Sequence, residues 1–207
     1  MAKASGGTRS STYKSTEEKA VQKFNEEDYK AYRKAGGRTQ GYVAEILGFK
    51  GAPKLANDKE FETLKNSSDY MYITRNVAVF DDVKNSKIID QRIEDFKKGG
   101  KFDGKGMKGD GFYFSANGKY WGDKNDKVIE AVIKKNQVAD YQKVYDKWQN
   151  EVFENEKYIN KFNGYKKAAT RITDNFGAWA TAKGYTALLS NGDEMIVLNR
   201  TKLIVKK

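Results

Sequence analysis

The chain has 207 residues and a net charge of +11, from 39 Lys and Arg against 28 Asp and Glu, and it contains neither His nor Cys. Without Cys there are no disulfides, no thiolate nucleophile and no Cys-ligated zinc or iron–sulfur site. Without His the Ser-His-Asp and Cys-His mechanisms, HExxH zinc sites and histidine general bases are excluded as well. Any chemistry has to come from carboxylates, Arg, Lys, Tyr, Ser, Thr or backbone amides. A carboxylate-only metal site stays open, although no compact acidic loop of the DxDxDG kind is present. Hydrophobic residues make up only 38% of the chain, but aromatics reach 13%, enough to build a core beneath a heavily charged surface. No window approaches the roughly 18 apolar residues that span a bilayer. The opening run Met1-Ala2-Lys3-Ala4-Ser5-Gly6-Gly7 has no apolar region of a secretory signal. The expectation is a soluble protein, without signal peptide or membrane partner. The positive excess favours contact with polyanions, though many basic proteins bind none specifically.

Residues 1–14, rich in Gly, Ser, Thr and Lys, predict a disordered basic arm. Ser15-x-x-Glu18 resembles a capping box, and a polar helix is expected from there to Lys34, closed by Gly36-Gly37. Thr39 caps a short helix carrying Tyr42, Val43, Ile46 and Leu47, with Gly48 as its stop. Asp58 to Asn66 predicts another, with Phe61 and Leu64 inward. Residues 15–68 thus form a helical N-terminal extension. At Ser67-Ser68-Asp69 the character changes. Tyr70 to Arg75 predicts a strand, and Asp82 to Lys98 a helix with Ile88, Ile89, Ile93 and Phe96, ended by Gly99-Gly100. Gly99 to Gly111 is a glycine-dense loop without GxGxxG or Walker spacing. Phe112 to Ser115 and Val128 to Ile133 predict strands. Val138 to Phe153 predicts a helix with Tyr141, Val144, Tyr145 and Trp148 on one face, and Tyr165 to Lys183 another, ended by Gly184. The turn Ser190-Asn191-Gly192-Asp193 joins the strands Tyr185–Leu189 and Glu194–Leu198 into a hairpin, because Asn-Gly is a strong hairpin signal. Leu203-Ile204-Val205 supplies a last strand. Helices first and short strands later give an α+β class.

The most specific feature is the C-terminal block: Gly184-Tyr185-Thr186-Ala187-Leu188, then Asn191-Gly192-Asp193-Glu194-Met195-Ile196-Val197-Leu198-Asn199-Arg200, then Leu203-Ile204-Val205. It resembles the last strands of ADP-ribosyltransferases, in which a glutamate opens a strand and is followed by apolar residues and Asn. Gly109-Asp110-Gly111-Phe112-Tyr113-Phe114-Ser115 resembles that family's G-x-G-x-Y-F-S element, with Tyr120 in the place of its later tyrosine. The strand ending at Arg75 stands where the family's first element begins. The resemblance covers residues 69–207 and implies an ADP-ribosyltransferase-like split β-sandwich with helices, acting on NAD⁺ as substrate without a metal. Phage, mobile-element and toxin proteins of the family are often of this size, which would put the protein in a host cell's cytoplasm.

By that resemblance Glu194 is the catalytic carboxylate, Tyr113 the nicotinamide platform, and Arg75 the anchor of the phosphate or adenosine ribose. Ser115 orients Glu194 or the ribose, Gly111 lets backbone approach the nicotinamide amide, and Asn76 and Tyr120 complete the NAD⁺-binding set. The chemistry suits the available residues. Breaking the nicotinamide–ribose bond develops an oxocarbenium-like sugar and releases a neutral leaving group, so a carboxylate is needed more than a strong acid. Two positions depart from the family pattern. Asn76 replaces the Gly that usually follows Arg, and Gly192 stands two residues before Glu194, where enzymes that modify arginine carry a second glutamate. This argues against arginine as acceptor. Transfer of ADP-ribose to a macromolecule (an acidic protein, a ribosome or a nucleic acid), hydrolysis of NAD⁺ to free ADP-ribose, and a non-catalytic, basic nucleic-acid-binding or virion-associated role all stay open on sequence.

Overall fold

A computed structural model describes residues 39–77, 86–100, 111–116, 127–153 and 176–207. The expected arm and first helix, Tyr120 and most of the glycine-dense loop lie outside these residues. The class is α+β, as expected. The strands are β1 (Lys54–Ala56), β2 (Tyr70–Val77), β3 (Phe112–Ala116), β4 (Lys127–Lys134), β5 (Val138–Asp140), β6 (Ala187–Ser190), β7 (Glu194–Val197) and β8 (Ile204–Lys206). They form one eight-stranded sheet in the order β1-β8-β4-β2-β3-β7-β6-β5. Its outermost pairs, β1 with β8 and β5 with β6, are parallel, and the pairs between them are antiparallel. The described helices are α1 (Thr39–Ile46), α2 (Asp58–Lys65), α3 (Ser86–Lys98), α4 (Tyr141–Phe153) and α5 (Phe176–Ala182). None of them is long and apolar enough to cross a membrane.

Local chemistry explains where these elements start and stop. Asn57 caps α2, its side chain accepting from the Glu60 amide at 2.9 Å, and Asp58 and Glu60 favour the positive end of the helix. Gly48, Gly99 and Gly184 follow α1, α3 and α5 with positive φ, the left-handed conformation that closes a helix. The hairpin turn is built as expected. Asn191 and Gly192 have φ of 52° and 77°, and Ser190 faces Glu194 across it.

Two expectations are corrected, and the inward face of α3 is defined. Residues 138–140 are not the start of a helix. Val138 and Ala139 pair with β6, and the Asp140 carboxylate accepts the Lys143 amide at 2.9 Å, so α4 begins at Tyr141. Ile88 is exposed, whereas Ile89 and Phe96 are buried and Ile93 packs against the cluster that contains Phe96. The inward stripe of α3 thus runs 89, 93, 96, at helical spacing. Residues 54–56, expected within a helical extension, form β1 at the sheet edge, whereas the helix expected from Asp58 is present as α2 and covers the sheet. Phe61 of α2 is buried against Val132 on β4.

Strand alternation divides the sheet into two faces. The first carries Ile73, Phe112, Phe114, Ala131, Met195, Val197 and Val205 and is covered by Phe96 and Ile93 of α3. On the second, two clusters sit diagonally. Phe61 and Leu64 pack on Val132, Tyr72 and Ile204, while Val144, Trp148, Phe176 and Trp179 of α4 and α5 pack on Leu188, Ile196 and Tyr113. Helix α1 packs on α5 through small residues, and Val43, Ala44, Ala178 and Ala180 are fully buried.

Arg200 ties the chain's distant parts together. It is 1% exposed, and its guanidinium donates to the carbonyls of Gly51 (3.0 Å), Gly100 (3.1 Å) and Lys50. It also lies over the rings of Phe96 and Phe112, at 5.5 and 5.1 Å from their centroids. Lysine carries a compact charge that cannot serve this spread of acceptors. Arg200→Lys is therefore expected to lower unfolding free energy by about 3 kcal/mol in urea titration. A change below about 0.5 kcal/mol, the size of an ordinary surface substitution, would contradict this role.

Candidate functional site

The registers of the antiparallel strands place one polar residue from each in a single row across the second face. Lys206 on β8 stands level with Glu130 on β4, Glu130 with Thr74 on β2, Thr74 with Ser115 on β3, Ser115 with Glu194 on β7, and Glu194 with Ser190 on β6. The row runs between the two apolar clusters. Asp140 on β5 pairs with Leu189, so the next residues, Tyr141 and Ser190, are also level and bring the start of α4 to the end of the row.

The Lys206 end is a closed network. The Tyr72 hydroxyl donates to Glu130 at 2.6 Å, and the Lys206 ammonium lies 3.4 Å from the other Glu130 oxygen. Burial and the bond to Glu130 push the Tyr72 hydroxyl far above the usual phenol range. Burial pulls the Glu130 carboxyl upward, but the Tyr72 hydrogen bond and the Lys206 cation outweigh it and hold Glu130 below its usual range.

The centre of the row is different. Thr74 and Ser115 are 5% and 8% exposed, and both hydroxyl oxygens are buried without a hydrogen-bond partner among the described residues. Buried hydroxyls are nearly always bonded, so two unsatisfied ones on neighbouring strands require a reason. Next to them Glu194 is half-buried at the first position of β7. The turn before it holds one residue more than a two-residue loop. Asp193 closes the turn by donating its amide to Ser190, and its carbonyl accepts the Ala116 amide at 2.7 Å. That extra residue sets Glu194 opposite both Ser115 and Ser190.

Of the residues singled out from sequence, Glu194, Ser115 and Tyr113 lie on this face. Tyr113 packs beside Ile196 and the α4–α5 cluster. Asn76 shares the face by alternation, two positions beyond Thr74 on β2. The same alternation turns Arg75 to the opposite face, where its guanidinium lies 5.6 Å from the Phe112 ring centroid and 3.5 Å from the Tyr113 carbonyl oxygen. Gly111 has a packing reason to be glycine. A Cβ there would stand 2.8 Å from Ile196 Cγ2 and 3.1 Å from the Val197 carbonyl oxygen, so β7 occupies its side-chain space.

Sequence reasoning missed Thr74 and gave Tyr141 only a place on a helix face. Tyr141 is half-buried, stacks on Tyr145 at 5.8 Å and meets Phe176 edge-on at 5.3 Å. Its hydroxyl is raised above the usual phenol range by burial, then by Tyr145 and by the negative charge of Glu194. Strand alternation could have found Thr74, which sits one residue from Arg75. Only the β5–β6 pairing brings Tyr141 to Glu194. Among the described residues, no group of three or more carboxylates is placed to hold a metal ion. Comparisons of the chain with protein-family models, curated proteins and solved structures find no match.

Two stability predictions follow from this geometry. Thr74→Val removes an unsatisfied hydroxyl at nearly constant shape in a strand, and should raise unfolding free energy by about 1 kcal/mol. A loss of that size would mean that the hydroxyl has a partner. Glu130 has a depressed folded pKa, so its contribution is present above the unfolded value and is lost as pH falls through the folded one. Glu130→Gln should be less stable than wild type at neutral pH, the gap closing below roughly pH 4; a gap independent of pH would contradict the assigned network.

Proposed function

We propose that the protein is an NAD⁺-dependent ADP-ribosyltransferase with an ADP-ribosyltransferase-like split β-sandwich fold, and that Glu194 stabilises the ribose as the nicotinamide bond breaks. The observation that carries this reading is the row Thr74–Ser115–Glu194. The three sequence elements that resemble the family fall on β2, β3 and β7, which are neighbours in the sheet, and the serine and glutamate of those elements stand directly opposite each other.

In the proposed reaction the bond between ribose C1′ and the nicotinamide nitrogen breaks, and its electron pair leaves with neutral nicotinamide. The positive charge left on the sugar is stabilised by the Glu194 carboxylate, which also accepts the ribose 2′-hydroxyl proton in a hydrogen bond. The acceptor's nucleophile then bonds to C1′ and releases its proton to solvent water. Ser115, whose hydroxyl bonds none of the described residues, orients the ribose rather than the carboxylate, and Tyr113 offers an aromatic surface to the nicotinamide on the same face. Arg75, turned away from Glu194, supports the site by bracing Phe112 at the start of β3 rather than by reaching the row. The acceptor is a macromolecule, and the net charge of +11 favours an acidic one, such as an acidic protein, a ribosome or a nucleic acid. Gly192 sits at the exposed turn with no carboxylate to offer, which favours an acceptor other than arginine.

Incubating the full chain with NAD⁺ labelled in the adenylate and a cell lysate tests this. Label is expected on a macromolecule, and Glu194→Gln should lower the rate at least 100-fold while its melting temperature stays close to wild type. Release of free ADP-ribose alone would reassign the protein as a glycohydrolase. An unchanged rate in Glu194→Gln would remove Glu194 from the mechanism.

A further inference from the structure

The reaction just described asks the Glu194 carboxylate to keep one orientation while charge develops on the sugar, and Ser115 serves the ribose instead. We propose that Tyr141 is the positioning residue for this carboxylate, its phenol donating to one Glu194 oxygen and leaving the other for the ribose 2′-hydroxyl. The inference rests on the NAD⁺ reading of Glu194.

The sheet brings the two residues to one place. Along β5, Val138 packs with the core of the first face and Ala139 with that of the second. Alternation therefore sends Tyr141, two residues past Ala139, to the second face, where it packs with the α4–α5 cluster. In register, Asp140 stands beside Leu189, so Tyr141 is level with Ser190, and Ser190 is paired with Glu194. Neighbouring strands lie about 4.8 Å apart, which puts the backbones of Tyr141 and Glu194 roughly 10 Å from each other, with a short serine between them. A tyrosine and a glutamate together are long enough to meet across that gap.

Packing holds the phenol in place. Tyr145, one helical turn on, stacks on the Tyr141 ring at 5.8 Å and 18°, and Phe176 meets it edge-on at 5.3 Å. The Asp140 carboxylate accepts the Lys143 amide at 2.9 Å and fixes the turn from which the ring projects. The hydroxyl also stays protonated at neutral pH, because burial, then Tyr145 and then the Glu194 charge raise it above the usual phenol range. A protonated phenol beside a carboxylate is a donor, and a hydrogen bond to a charged acceptor is among the stronger ones. Fixing one oxygen in this way aims the second before the sugar charge appears, so the carboxylate does not have to reorient as the bond breaks. The proton stays on Tyr141, since neutral nicotinamide leaves without one.

The test measures nicotinamide release from NAD⁺ by the full-length wild type, Tyr141→Phe, Tyr145→Phe, Glu194→Gln and the double variant of Tyr141→Phe with Glu194→Gln. Tyr141→Phe keeps the stacked ring and removes the hydroxyl alone. Its kcat should fall about tenfold while KM for NAD⁺ stays within about twofold, a split that loss of packing alone would not produce. Tyr145→Phe should keep the wild-type rate within about twofold; a loss equal to that of Tyr141→Phe would place the effect in the aromatic stack and overturn the proposal. In the Glu194→Gln background, Tyr141→Phe should cost less than about twofold, because the carboxylate it positions is gone. A further loss of about tenfold there would show that Tyr141 does not act through Glu194. A second readout needs no change at residue 141. With tyrosine labelled by ¹³C at Cζ, Glu194→Gln should move a tyrosine signal, and a spectrum identical to wild type would overturn the contact whether or not Tyr141→Phe folds. Should Glu194→Gln be inactive while folded Tyr141→Phe matches wild type in kcat, Tyr141 has no positioning role and the NAD⁺ reading stands. If wild type neither cleaves nor binds NAD⁺, both are wrong.

Discussion

The site depends on the mutual register of β2, β3 and β7. Side chains alternate along a strand, so a slip of one residue in β3 would send Ser115 to the α3 face and bring Phe114 to the level of Glu194. The large residues interleaved with the polar ones oppose that slip. Ile73, Phe114 and Met195 are buried on one face, directly between the positions that give Thr74, Ser115 and Glu194 to the other. At the ends of the strands, Asn191 and Gly192 take the positive φ values the hairpin needs. Gly111 lets Ile196 and Val197 approach β3 where any side chain would collide. The apolar core and the polar row are thus two consequences of one alternation, and the core supplies most of the energy that keeps the row aligned.

A second constraint concerns how the outer parts of the chain are held to that sheet. Arg200 follows β7 by three residues and reaches the carbonyls of Lys50, Gly51 and Gly100, which lie before β1 and after α3. A buried guanidinium is tolerable only where its donors are used, and these carbonyls with the Phe96 and Phe112 rings supply the partners. Arg75 approaches the same Phe112 ring. Both cations therefore brace the start of β3, on the side of the sheet away from Glu194.

Much of this was legible in the amino-acid sequence because the signals were local. The Asn-Gly turn, the glycine stops after residues 47, 98 and 183, and the apolar alternation in 70–75 and 128–133 each act through a few neighbouring residues. β1 and β5 were not legible. Each is three residues long and forms by pairing in parallel with a strand distant in sequence, β8 or β6, and so short a stretch carries no period. Which of the adjacent Ile88 and Ile89 faces inward was not legible, because the two satisfy a hydrophobic count equally and only the placement of α3 over the sheet separates them. At the site, the motifs led to Glu194, Ser115 and Tyr113. Thr74 was hidden beside Arg75, whose charge drew attention to the residue that alternation turns away. Tyr141 reaches Glu194 only through the tertiary pairing of β5 with β6.

Seen as chemistry, the second face offers a carboxylate, two buried hydroxyls and flanking aromatic rings, with the remaining acidic group of the row already neutralised by Lys206. Such a set suits a ligand that carries a developing positive charge at one point and neutral polar groups beyond it, and NAD⁺ is one. The most direct measurement is a proton NMR time course of NAD⁺ with the purified full-length wild-type chain. The account predicts that the ribosyl-bound nicotinamide signals decay as those of free nicotinamide grow. NAD⁺ signals that keep their intensity, line width and position at stoichiometric protein would contradict it.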